Sequence, residues 1–184
     1  MTRDSFAATP ATITVVAGLP GVGKSTLSRR LAEHLAPGAH VEADQLQGFI
    51  VAGRADGTSS GLSAEAIDQL RLRLRQAALL AISFADAGIN SVVDDIVAGT
   101  RFDECVRDLN GHPFSFVMLL RDLDAIKEEW RAMGSPFADS WDWIDHDIRE
   151  RTPRVGLWID TTNKDADQVF AEVVERLDES VVAR

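Results

Sequence analysis

Apolar residues in this chain come in short β-branched runs, separated by longer stretches whose apolar positions recur every three or four residues. That alternation of periods predicts a parallel sheet covered by helices. The runs Thr12–Ala17, His40–Asp44, Ile89–Val93, Phe114–Leu120 and Val155–Ile159 are the predicted strands. Helices are expected over Lys24–Leu35, closed by Pro37-Gly38, over Ser63–Ala87, and near 101–109, 122–133, 140–150 and 165–177. Leu70-Arg71-Leu72-Arg73-Leu74-Arg75 alternates as a strand would, yet it lies in an Ala-rich stretch without a breaker, which favours helix. Residues 52–62, rich in Gly, Ser and Asp, read as flexible, and residues 1–10 as a loose tail.

Length and charge narrow the class. The 184 residues suit one α/β domain, so 11–184 is taken as a single unit. A net charge of −10 argues against nucleic acid, whose phosphate backbone calls for clustered Lys and Arg. Cys105, the one cysteine, excludes an intramolecular disulfide. The first residues hold no apolar core of leader length, and no run is long enough to span a bilayer, so the expectation is a cytoplasmic protein without membrane partners.

Candidate chemistry begins at Gly18-Leu19-Pro20-Gly21-Val22-Gly23-Lys24-Ser25, with Thr26 beside it. This octet fits G-x-x-x-x-G-K-[ST] and stands between a predicted strand and a predicted helix, the context in which such a loop cradles phosphates. Glycines let successive N–H groups converge on an anion, and the helix N-terminus adds its positive dipole end. Lys24 would reach the β- and γ-phosphates, and Ser25 would offer a hydroxyl to Mg²⁺. The chain is therefore expected to bind a nucleoside triphosphate.

Two acidic sites follow. Asp44, expected with its side chain free at the end of the second strand, faces the crevice where ligands bind in parallel sheets. There a carboxylate can take a proton from an acceptor hydroxyl or align it for attack; the alternative is a helix N-cap. Glu42, on the same strand face, is a candidate to hold a magnesium-bound water, or else a solvated edge residue. Val92-Val93-Asp94-Asp95 ends a third strand in paired acids. Asp94 is read as the metal-associated carboxylate and Asp95 as a possible acceptor contact, with one of the two capping the turn at Ala98-Gly99.

Gly18–Thr26, Val41-Glu42-Ala43-Asp44-Gln45-Leu46, Val92–Ile96 and Ile159-Asp160-Thr161-Thr162-Asn163-Lys164 occur in an order that resembles the chloramphenicol phosphotransferase-like phosphate-loop kinases. The resemblance runs from Thr12 to Leu177. It implies a three-layer α/β fold with a five-stranded parallel sheet in the order 2-3-1-4-5 and helices on both faces. It also implies ATP and Mg²⁺ as cofactors, and transfer of phosphate to a hydroxyl of a small molecule with Asp44 as base. By the same resemblance Thr161, Thr162 and Lys164 lie near the adenine, and a lid spans about 127–145.

The chain departs from that group in two places. Its lid segment 126–135 offers only Lys127 and Arg131, where such kinases carry more arginines, with Arg149, Arg151 and Arg154 as possible substitutes. Gly134-Ser135-Pro136 would form a hinge, and closure would bring Arg131 onto the γ-phosphoryl group as a catalytic cation. The loop's Leu-Pro-Gly-Val-Gly also replaces a Ser-rich form, so the antibiotic is not carried over. The rival readings are an ATPase or nucleotide switch without an acceptor, and a nucleotide-binding protein that has lost catalysis. No guanine-selecting Asn-Lys-x-Asp run favours the switch. Trp130, Trp141 and Trp143 with Phe137 surround the lid and are read mainly as core. Arg71 and Arg75 are read as a solvated stripe, His146 as a surface residue and Cys105 as buried.

Overall fold

The computed structural model describes residues 11–55, 62–135, 138 and 140–182. The predicted tail at 1–10, most of the glycine-rich stretch and Phe137 lie outside the described residues. Among the described residues the chain forms one five-stranded sheet, ordered β2-β3-β1-β4-β5. The strands are β1 (Ile13–Gly18), β2 (Gly38–Glu42), β3 (Asn90–Asp95), β4 (Phe114–Leu120) and β5 (Leu157–Asp160), and every pairing is parallel. The helices are α1 (Lys24–His34), α2 (Ala43–Gln47), α3 (Ala64–Asp86), α4 (Thr100–Asp108), α5 (Leu123–Ala132), α6 (Asp142–His146) and α7 (Ala166–Glu175).

Central strands bury both faces, which is why β1 and β4 read as near-continuous apolar runs, interrupted by Thr14 and Ser115. Helices α1 and α7 pack together on one face of the sheet, and α3 with α4 on the other. Between them Val15, Phe116, Met118, Leu119 and Ile159 are sealed from water. Helix α3 buries Ala66, Arg73, Leu74, Ala77, Ala78 and Ala81, a helical stripe that overrides the local Leu–Arg alternation. Its N-cap Ser63 accepts a hydrogen bond from the Ala66 N–H. Cys105 is buried in α4, and burial pushes its thiol up to about 12. No helix among the described residues is long and apolar enough to cross a membrane.

Three of the departures from the expected boundaries bear on the site. β2 stops at Glu42, and Asp44 sits in the first turn of α2. β3 continues through Asp94 and Asp95, because pairing of Val16 with Asp94 and Ala17 with Asp95 carries the ladder to the end of β1. The expected helix over 140–150 is the short α6 followed by a π-type turn at Asp147–Arg151. The register brings Gly18, Glu42, Asp95 and Leu120 to one rim of the sheet, and β1 is where connections diverge to either side. Ligands of open α/β sheets bind in such a crevice.

Candidate active site

Sequence places the turn after β1, and packing fixes its shape. Gly18 has φ +147°, and a Cβ there would fall 2.5 Å from the Leu119 carbonyl oxygen, so only glycine lets β1 end so close to β4. Leu19 and Val22 are buried and anchor the loop, whereas Gly21 and Gly23 face outward. Gly23 is the N-cap of α1 in the left-handed region, with no side chain to cap the helix. No acidic residue occupies the first turn. The free N–H groups and dipole of α1 are thus open to an anion. Lys24 folds back, and its Nζ donates to the Leu19 carbonyl at 2.9 Å. Burial lowers its pKa, partly offset by the carboxylates of Asp94, Asp44 and Asp95.

One pocket gathers Pro20, Lys24, Ser25, Thr26, Asp44, Asp94 and Asp95. Asp94 is buried, its Oδ2 accepts no hydrogen bond from a described residue, and His40 Nε2 lies 3.4 Å away. An orphaned carboxylate oxygen sharing a pocket with the Ser25 hydroxyl fits Mg²⁺, a hard cation that needs few protein oxygens. Glu42 does not line this pocket, and its carboxylate accepts from Gln45 Nε2 at 2.6 Å.

Two expectations about the acids need correction. The Asp44 side chain is 76% exposed but not free: Arg73 Nη1 donates to it at 2.5 Å. Nor is Asp44 the N-cap of α2, a position held by Glu42. The Asp95 carboxylate, 0% exposed, borders the pocket but is committed to bonds within the protein. It takes hydrogen bonds from Arg73 Nη2, from the Ile96 N–H at 2.7 Å and from Arg101 Nη2 at 3.3 Å. It holds arginines, and does not cap Ala98-Gly99, where the Gly99 N–H donates instead to Thr152 Oγ1. Sequence reasoning does not single out Arg73 or Arg101. The signal for Arg73 is its place on the Ala66–Leu74–Ala77 stripe, whereas Arg71 pairs with Glu104 and Asp68 near the surface.

A second pocket joins Gly21, Gly23 and Thr26 of the loop to Arg121, Thr161, Thr162 and Lys164. Asp160 accepts from the Thr162 N–H and hydroxyl, and these bonds hold its carboxyl below the usual range. Thr162 Oγ1 in turn accepts from the Asp122 N–H at 2.9 Å, tying the turn after β5 to the end of β4. Thr161 is buried with its hydroxyl on the Leu120 carbonyl, and Lys164 pairs with Glu172.

No family model matches the chain, and no curated protein matches it in sequence. Solved structures do match in shape. The Deinococcus radiodurans tunicamycin resistance protein aligns at TM-score 0.66 and 18% identity, covering 95% of this chain and 99% of that one. A sugar kinase from Janibacter aligns at 0.67 and 19%, over 93% and 96%. The Mycobacterium tuberculosis APS kinase in complex with AMPPNP and APS aligns at 0.64 and 19%, over 92% and 98%. This chain has the fold of the P-loop small-molecule kinases.

Within that P-loop kinase fold, the cations after β4 are arranged differently from expectation. Arg131, near the C-terminal end of α5, is exposed and lines neither pocket. Arg121, which no pattern in the sequence singles out, lines the second pocket. Its Nη1 donates to the Gly21 carbonyl at 3.3 Å, and both its terminal nitrogens bond Glu129. The other candidates are engaged. Lys127 pairs with Asp142 at 2.6 Å, Arg149 bonds Asp145 and the Arg121 carbonyl, Arg151 meets Asp147, and Arg154 stacks on Trp158. Trp130 and Trp141 meet edge to face with centroids 5.6 Å apart, and Trp130 Nε1 lies 3.1 Å from where a Cβ on Gly21 would stand. This pair braces the phosphate loop, while Trp143 is half exposed.

Proposed function

We propose that the protein transfers the γ-phosphoryl group of ATP to a hydroxyl of a small molecule. The observation that carries this reading is the convergence of Lys24, Ser25, Asp44 and Asp94 on one pocket at the helix N-terminus. The loop N–H groups and Lys24 bind and orient the phosphates, the Thr161–Lys164 turn and Arg121 hold the rest of the nucleotide, and Asp44 receives or aligns the acceptor proton. Ser25 and Asp94 would hold Mg²⁺, which supplies charge neutralisation across the phosphates. The fold neighbours named as a sugar kinase, an APS kinase and a tunicamycin resistance protein support a small-molecule acceptor, a sugar or an antibiotic among the classes to screen. The acidic surface accords with a cytoplasmic enzyme that needs neither nucleic acid nor membrane.

The test is ATP consumption against hydroxylated antibiotics, sugars and nucleosides, with the product identified by phosphorus NMR. Asp44→Asn should slow transfer about 10²–10⁴-fold at unchanged nucleotide affinity. A loss of ATP affinity would move Asp44 to the metal site. Hydrolysis that answers to no hydroxyl compound would favour the ATPase or switch.

A further inference from the structure

The acceptor side of the first pocket has an unusual charge balance. Lys24 is the one cation among its described lining residues, set against Asp44, Asp94 and Asp95. Two guanidiniums stand behind those acids, and both are already engaged. Arg73, 7% exposed, bonds Asp44 through Nη1 and Asp95 through Nη2. Arg101 Nη2 bonds Asp95 and the Leu70 carbonyl. The sequence between Arg54 and Arg71 supplies no further Lys or Arg.

With Lys24 engaged by the nucleotide phosphates, an anionic acceptor in this pocket would draw on one of these guanidiniums. Drawing either guanidinium off Asp95 leaves a carboxylate that has no exposed surface with one cation fewer, which is unfavourable. Displacing Asp44 removes the group placed to meet the acceptor hydroxyl. A neutral hydroxyl asks for neither, because the exposed oxygen of Asp44 accepts its hydrogen bond directly. We propose that the acceptor is a hydroxylated molecule without negative charge, and that Arg73 is a positioning residue that holds Asp44 rather than a receiver of substrate anions. This rests on the phosphotransfer reading and narrows its substrate class.

The test uses matched pairs: glucitol and gluconate, methyl shikimate and shikimate, adenosine and adenosine 5′-monophosphate. Each is offered to the full chain with Mg²⁺ and ATP for turnover, and with Mg²⁺ and AMPPNP for binding by isothermal titration. The neutral member should exceed its anion by about tenfold or more in kcat/KM. An anion turned over as well as its neutral partner overturns the charge inference and leaves the kinase standing. Nucleotide binding with no phosphorylation of any hydroxyl compound overturns the phosphotransfer reading itself. Inorganic sulfate titrated into the AMPPNP-loaded protein decides the charge question without any acceptor. No saturable binding is expected, and saturable binding that Arg73→Gln removes overturns the proposal. Arg73→Lys should lower kcat while leaving the KM for ATP unchanged; a rise in that KM alone also overturns the positioning role.

Discussion

Replacing Arg73 by Met keeps much of the side chain's length and removes its charge, so the stability lost reports on the ion pairs. Removing one partner of a buried pair costs about 3–5 kcal/mol, since the other charge stays buried and uncompensated. Two features of this site reduce that figure. Asp95 would keep Arg101 and the Ile96 N–H. The Asp44 arm, 76% exposed, contributes at most about 1 kcal/mol because water screens it. The expected loss is therefore about 2–3 kcal/mol, roughly 5–10 °C in Tm for a domain of this size. Urea unfolding with an unchanged m-value, paired with calorimetry, measures it. The decisive control is Arg73→Met with Asp95→Leu, which removes the under-paired carboxylate and should recover part of the loss, because Arg101 is 20% exposed and keeps the Leu70 carbonyl. Phosphoryl transfer should stay low in both variants, since Asp44 has lost its anchor. A loss below about 1 kcal/mol, or a double variant less stable than the single one, would refute the charge account of this cluster.

Lys24→Ala should reduce transfer about a hundredfold or more, the effect of losing about 3–4 kcal/mol of transition-state charge stabilisation; activity within a few-fold of the parent in a coupled assay would remove the phosphate-loop assignment. Burial lowers the Lys24 pKa, so between that value and the ordinary 10.5 the unfolded chain binds more protons and stability rises with pH. Thermal unfolding across that window should show a slope in the parent that Lys24→Ala flattens. Arg121→Ala should weaken turnover or nucleotide binding by about 1.5–3 kcal/mol, as a charged hydrogen-bonding group in the pocket, whereas Arg131→Ala should change little. Steady-state kinetics of the two variants compares them, and a larger effect at Arg131 would restore the hinge-and-closure role to that residue.

What the sequence discloses depends on how far its physical causes reach along the chain. The phosphate loop is legible because its function rests on backbone shape, and glycine spacing encodes backbone shape locally. Gly18 illustrates this, although the Leu119 oxygen that enforces it comes from a distant strand. Strand order is what the family resemblance implies, and the interior strands show in their largely apolar runs. The acids are found by sequence, but the partners of Asp44 and Asp95 are not, for one reason. A carboxylate's role depends on which cation reaches it, and those cations come from α3 and α4, whose approach no local pattern reveals. Asp94 and Asp95 are adjacent in sequence and opposite in fate, since alternation on β3 sends one oxygen pair toward the loop and the other onto Arg73 and Arg101. Arg73 itself hides in a Leu–Arg alternation that suggests equivalence with Arg71 and Arg75. Helical period sets it apart, because only Arg73 shares the stripe of Ala66, Leu74 and Ala77. An arginine on an apolar stripe must find a carboxylate or unfold the helix face that carries it. Its position in the helical period therefore demands acidic partners, and Asp44, in the first turn of α2, and Asp95, at the end of β3, are the carboxylates that meet it.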